Sequence, residues 1–187
     1  MKHPNFYFQN HQCGLIVIDI QESLFNSMEY DIRLKVMKNA GILLDTAKAF
    51  DIPMVVTEQY RKGLGKTIKD VMDRLDEVDI FDKMHFDCMK DPDIRQRILD
   101  VSRDTYIITG IETHVCVLQT ALSLLAEGKN VVVASDAVCS RRKHEWKMAI
   151  HTLRQAGAVV YPTESISFML LQKARTPVFK ELSPLFK

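Results

Sequence analysis

The sequence predicts an α/β domain of three layers, with helices over both faces of a mainly parallel sheet of roughly six strands. Short β-branched apolar runs alternate with longer stretches at helical spacing as far as residue 161. The runs are apolar almost throughout rather than at every second position, which marks strands covered on both faces. Glycines close two of the helical stretches just before the next run, and repeated strand–helix–strand units imply right-handed crossovers and parallel pairing.

The elements follow in order. Gly14 to Ile20 is the first strand, behind a polar and aromatic extension over residues 1–12; residues 13–187 form the domain. Ile32, Val36, Ala40, Leu43 and Ala47 recur every three or four residues, the buried stripe of a surface helix. Pro53 to Thr57 is the second strand and Val78 to Phe81 a weaker third. Thr105 to Thr109 is the fourth, and a helix beginning at Val115 follows it, closed by Gly128. Asn130 to Ala134 is the fifth. Trp146, Ile150 and Leu153 mark the next helix, closed by Gly157, and Ala158 to Tyr161 is the sixth strand.

The 187 residues, 47% of them hydrophobic, suit one domain with one substantial core. Lysine and arginine number 25 against 24 acidic side chains, so no charge excess attracts a phosphate backbone or an anionic bilayer, and nucleic acid and membrane are both excluded as partners. No apolar run is long enough to span a bilayer. Cys13, Cys88, Cys116 and Cys139 lack CxxC spacing, which fits reduced thiols in a soluble cytoplasmic protein.

In parallel α/β sheets ligands bind beyond the carboxyl ends of the strands, and three reactive side chains stand there. Asp19 lies near the end of the first strand, in an apolar run where a carboxylate requires a cationic or proton-donating neighbour. Lys83 follows the weak third strand and can be that neighbour. Cys116 stands at the corner after the fourth strand, where free N–H groups and a helix dipole favour the thiolate. An acid, a base and a thiol on one rim suit nucleophilic attack on a small carbonyl-type substrate.

Asp19-Ile20-Gln21, Lys83 with Phe86, and Gly110-Ile111-Glu112-Thr113-His114-Val115-Cys116-Val117 together resemble the isochorismatase-like cysteine hydrolase superfamily, over Cys13 to Lys187. Thr57-Glu58-Gln59-Tyr60, Gly63-Leu64-Gly65, Val117-Leu118-Gln119-Thr120 and the tail from Thr163 to Lys180 are most similar to the isochorismatase-domain-containing proteins. The resemblance implies a Rossmann-like fold and a catalytic triad: Cys116 as nucleophile, Asp19 as general base and Lys83 as third member. It also implies a cis peptide between Ile111 and Glu112, with the Glu112 and Cys116 amides as oxyanion hole. Gln21, Tyr60, Leu64, Phe86 and His114 are the candidate pocket residues. A homo-oligomer, a dimer or larger, is implied as well.

The chain departs from its relatives at three places. Nicotinamidases of this superfamily carry Asp-x-His after the second strand; here Thr57-Glu58-Gln59-Tyr60 stands there, so neither a metal nor a cofactor is expected. Asp87 replaces a common serine after Phe86 and, if turned inward, would disfavour acidic substrates. Leu24, followed by Phe25, stands where an aromatic residue is usual. Gly63-Leu64-Gly65-Lys66-Thr67 is not a phosphate loop, because the required first glycine is Tyr60; it reads as a flexible connection beside the pocket. Cys88 and Cys139 read as bystanders. Two further classes compete with a hydrolase: an interaction scaffold that keeps a vestigial triad, and a redox-responsive thiol protein, for which Cys116 has no resolving neighbour in sequence.

Overall fold

The computed structural model describes residues 6–76 and 78–187. Its sheet has six strands, all parallel, in the order β3-β2-β1-β4-β5-β6. They are β1 (Cys13–Ile18), β2 (Met54–Gln59), β3 (Ile80–Lys83), β4 (Thr105–Ile111), β5 (Asn130–Cys139) and β6 (Val159–Tyr161). Helices α1 (Glu22–Asn26) and α2 (Tyr30–Ala49) link β1 to β2, and the short α3 (Arg61–Leu64) and α4 (Lys69–Met72) link β2 to β3. Then α5 (Pro92–Val101), α6 (Leu118–Ala126) and α7 (Lys143–Ala156) make the crossovers to β4, β5 and β6, and α8 (Thr163–Leu171) and α9 (Pro177–Leu182) complete the chain.

Period-two alternation along the strands divides the core into two layers. Leu15, Val17, Val56, Ile107 and Val132 face Val36, Ala40 and Leu43 of α2 and Ile166 and Leu170 of α8. Ile16, Ile18, Val55, Ile108 and Val133 face Ile94 and Ile98 of α5, Leu124 of α6 and Leu153 of α7. Phe8, ahead of β1, is fully buried in the first layer. Gly128 and Gly157 both take positive φ where they end α6 and α7, the backbone that glycine adopts without a Cβ penalty.

The sequence expectation needs adjustment at several strand ends: β1 stops at Ile18 instead of Ile20, β2 runs on to Gln59 and β4 to Ile111, and the third and fifth strands change further. The third begins and ends two residues later than the apolar run suggests, so Lys83 is its last residue instead of following it. The fifth does not stop at Ala134: after a register shift between Ile108 and Gly110, it pairs again through Val138 and Cys139. Long-range bonds carry it through the polar Ser135-Asp136. The Asp136 carboxylate accepts from the N–H and hydroxyl of Thr163, while its carbonyl accepts from the Asn39 amide.

Connections run outward from β1 to β2 and β3 on one side, and from β4 to β5 and β6 on the other. The switch point lies between β1 and β4, and a crevice opens beyond the carboxyl ends of such a pair. The two strands approach closely there. A Cβ on Gly110, whose φ is 149°, would lie 2.2 Å from the Ile18 carbonyl oxygen.

Candidate active site

Asp19, Lys83 and Cys116 converge beside this crevice. Asp19 is the first residue after β1, in a left-handed conformation with φ 55°. Cys116 sits in a π-helical turn, Thr113–Val117, that joins β4 to α6, and the Ile111–Glu112 peptide before the turn is cis. Lys83 reaches in from the sheet edge with its Nζ 2.7 Å from Asp19 Oδ2, and both side chains are fully buried. The Cys116 thiol lies near enough for the charges of both Asp19 and Lys83 to act on its ionisation.

A buried ion pair is stable only when its remaining donors and acceptors are met. Thr57 and Gln59, two residues apart on β2 and therefore on one face, meet them. The Thr57 hydroxyl donates to Asp19 Oδ1 at 2.8 Å, and Lys83 Nζ donates to Gln59 Oε1 at 2.7 Å. The carbonyls of His85 and Phe86 lie 3.3 and 3.4 Å from the same ammonium. Burial alone would push the Lys83 ammonium down, but the charge of Asp19, supported by Cys88 and Cys116, outweighs it and the net displacement is upward.

Cys116 corrects a sequence expectation. The strand-to-helix corner favours a thiolate, yet burial first and the Asp19 carboxylate second push this thiol well above its ordinary range, with Lys83 only partly opposing them. The sulfur rests as a thiol at neutral pH. Ionisation requires a proton acceptor at the moment of attack, and Asp19 is in position to be one.

The residues singled out for a pocket separate into groups. Gln21 is fully buried; its Nε2 donates to the carbonyls of Gln59 and Gly65 and its Oε1 accepts from Gln59 N, so it ties the strand end to the α3 connection. That connection is consequently held in place rather than flexible. Tyr60, whose amide donates to the Lys83 carbonyl, and Phe86 are exposed around the lysine, and Leu64 lies in α3 next to Tyr60. His114 turns to Ser140, with its Nδ1 2.9 Å from Ser140 Oγ and 3.2 Å from Glu112 Oε2, and braces the nucleophile turn. Glu112 is also paired with Arg141. Asp87 does not face a pocket: it is buried, accepting from Met89 N at 2.9 Å and from the Ser123 hydroxyl at 2.6 Å.

Sequence reasoning missed Thr57, Gln59 and Cys88. Polar residues closing an apolar strand at positions i and i+2 were the available signal for the first two. Cys88 is fully buried near Asp19 and Lys83, its Sγ 4.0 Å from Thr57 Oγ1 and its amide bonded to the Thr120 hydroxyl, and burial raises its thiol to about 12. A cavity of about 580 Å³ lies elsewhere, at the end of β5 between Val36 of α2 and Trp146 of α7. Among the described residues, no group of three or more His, Cys, Asp or Glu side chains is placed to hold a metal ion, and no helix is long and apolar enough to cross a membrane.

Comparison with known proteins gives the family and its range. The isochorismatase domain matches residues 13–165. The chain is 37% identical to the secreted isochorismatase effector Isc1 of Phytophthora sojae over 182 residues, 95% of this chain and 85% of that one. It is 31% identical to isochorismatase domain-containing protein 2 of Xenopus laevis over 169 residues, 90% of this chain and 80% of that one. Among solved structures, the MAR1 ribonuclease of Caenorhabditis elegans is 35% identical, with a TM-score of 0.88 over 96% of this chain and 91% of that one. The YcaC protein of Escherichia coli, described as an octameric hydrolase of unknown specificity, is 23% identical and shares the fold with a TM-score of 0.90, over 99% and 91% of the two chains.

Proposed function

The chain belongs to the isochorismatase family, and from that premise we propose that Asp19, Lys83 and Cys116 form the catalytic triad of a metal-independent cysteine hydrolase. Its substrate is a small carbonyl compound, an amide in the first instance. The observation that carries the reading is the fully buried Lys83–Asp19 pair, Nζ to Oδ2 at 2.7 Å, with Cys116 near enough for both charges to act on its thiol.

The steps follow from that arrangement. Asp19 takes the thiol proton as sulfur attacks the carbonyl carbon, and the developing oxyanion is received by the N–H groups of Glu112 and Cys116. Collapse breaks the C–N bond, and the leaving amine takes the proton from Asp19. Water then attacks the thioester with Asp19 again as base, which releases the acid and restores the thiol. Lys83 holds the Asp19 carboxylate in place between steps. Metal independence is supported by the donors at the β2 end: Glu58 is engaged by the N–H and hydroxyl of Thr67 and by Arg61, and so has no free oxygen to offer an ion.

Tyr60, Leu64 and Phe86 form the substrate side of the mouth in this reading. The protein works in the cytoplasm, where its free cysteines stay reduced, and it assembles as a homo-oligomer, as YcaC does. A second reading takes its support from the relative described as a ribonuclease. The formal charge of +1 and the deep burial of Asp19 and Lys83 favour the small substrate.

The test is an intact-mass screen of small amides for an acyl adduct, with a fluorescent RNA run in parallel. An adduct on Cys116, and turnover abolished by Cys116→Ala, are the expected results. Unchanged turnover in that variant, or cleavage of RNA that survives it, overturns the reading.

A further inference from the structure

Among the described residues, Gln59 is the one uncharged side chain that grips the triad cation. Its Oε1 accepts from Lys83 Nζ at the same 2.7 Å as Asp19 Oδ2 does, and its Nε2 donates to the Met84 carbonyl at 2.9 Å. The amide can face only one way, because an ammonium needs the oxygen and a carbonyl needs the N–H. Its backbone is held equally firmly: Gln21 Oε1 accepts from Gln59 N at 2.6 Å, Gln21 Nε2 donates to Gln59 O at 3.0 Å, and Gln59 pairs in register with Lys83. Few side chains in a protein have so little freedom.

We propose that Gln59 is a positioning residue for the hydrolase chemistry: its neutral carboxamide aims the Lys83 ammonium at Asp19 and sets the pH at which Cys116 ionises. The inference rests on the triad reading above. An ammonium has three N–H groups, and without Gln59 its remaining acceptors besides Asp19 are the more distant carbonyls of His85 and Phe86, which draw it off the carboxylate. Neutrality is as important as reach. A carboxylate at position 59 would place Lys83 between two anions and leave the buried cluster with a net negative charge, which opposes a thiolate at Cys116.

The other charged groups nearby are accounted for. Asp19, Cys88 and Cys116 are the titratable groups coupled to Lys83. Glu58 is engaged by Thr67 and Arg61, Asp82 accepts from Arg61 N, Asp87 from Ser123, and the His85 ring lies toward Asp91. A change of charge at position 59 therefore acts on Cys116 mainly through Lys83 and Asp19.

The test is the rate of Cys116 alkylation by iodoacetamide, followed by peptide mass spectrometry at fixed pH values from 7 to 9 in the full chain, for wild type, Gln59→Glu, Gln59→Leu and Asp19→Asn. The rate follows the thiolate fraction and so reads a shift in a thiol that stays mostly protonated. Gln59→Glu should slow alkylation about tenfold or more, because a new buried negative charge beside Lys83 disfavours the thiolate. Gln59→Leu should slow it by less, and Asp19→Asn should quicken it. Superimposable rate profiles for wild type and both folded Gln59 variants, with Asp19→Asn still shifted, overturn the role of Gln59 alone. A rate indifferent to Asp19→Asn overturns the triad reading on which that role depends.

Discussion

The two sides of Cys116 are built on opposite principles. On the β1–β2–β3 side, Asp19 and Lys83 are excluded from water, and side chains and carbonyls of the sheet and the turn after it satisfy them. On the β4–β5 side, Glu112 is braced by His114 and by an Arg141 that is 61% exposed. Charge fixed in a dry setting acts on the chemistry without reorganisation, whereas a bridge open to solvent is screened and serves to hold a turn. The electrostatics of this protein therefore reside on one side, and the shape of the nucleophile turn on the other.

The largest expected effect comes from breaking the dry side. Lys83→Met leaves Asp19 as an uncompensated buried carboxylate and should cost about 3–5 kcal/mol in urea unfolding. The double variant Asp19→Asn/Lys83→Met removes both charges and should recover a large part of that loss. If the single variant is as stable as the wild type, the dry side is not the electrostatic anchor described here.

Alkaline pH tests both sides together. Burial holds the folded-state thiols of Cys13, Cys88 and Cys139 at about 12, against an ordinary 9.0, and pushes Cys116 up as well. Above pH 9 the unfolded chain releases protons that the folded chain keeps. The stabilisation is therefore complete below pH 9 and is lost as pH rises from 9 toward 12. The raised Lys83 acts in the same direction above its own ordinary value of 10.5. Urea midpoints measured from pH 8 to 11 should fall steeply, and Cys88→Ala should flatten the fall.

Thr57→Val ranks next, because it removes one donor from Asp19 while keeping the shape of β2. The buried oxygen left without that partner should cost about 1–3 kcal/mol, and the rate of Cys116 alkylation at fixed pH should change. Loss of stability with an unchanged rate would assign Thr57 to folding alone.

What the sequence conveyed follows the same division. The strands were legible because burial on both faces leaves continuous apolar runs such as Leu15 to Ile18 and Tyr106 to Ile108. Asp19, Lys83 and Cys116 were legible because each stands where a run ends. Thr57 and Gln59 were not, since their partners depend on a register that joins three strands. The resting state of Cys116 was misread for a related reason: the helix start is local and visible, whereas burial and the Asp19 charge come from elsewhere in the chain. The fifth strand likewise looked complete at Ala134, because the bonds from Thr163 and Asn39 that hold Asp136 within it come from far along the chain.

The smallest effect should come from the solvated side. Arg141→Ala removes the exposed partner of Glu112, yet the Arg141 amide, 3.3 Å from Glu112 Oε2, and His114 both remain. The expected loss is about 0.2–1 kcal/mol, and it should shrink further as salt is raised from 0.05 to about 1 M, where the screening length falls to about 3 Å. Turnover should change little, because the turn keeps its other brace. A salt-independent loss as large as that of Lys83→Met would mean that Arg141 is drawn into a dry site on assembly, and the two sides would then have to be treated as one.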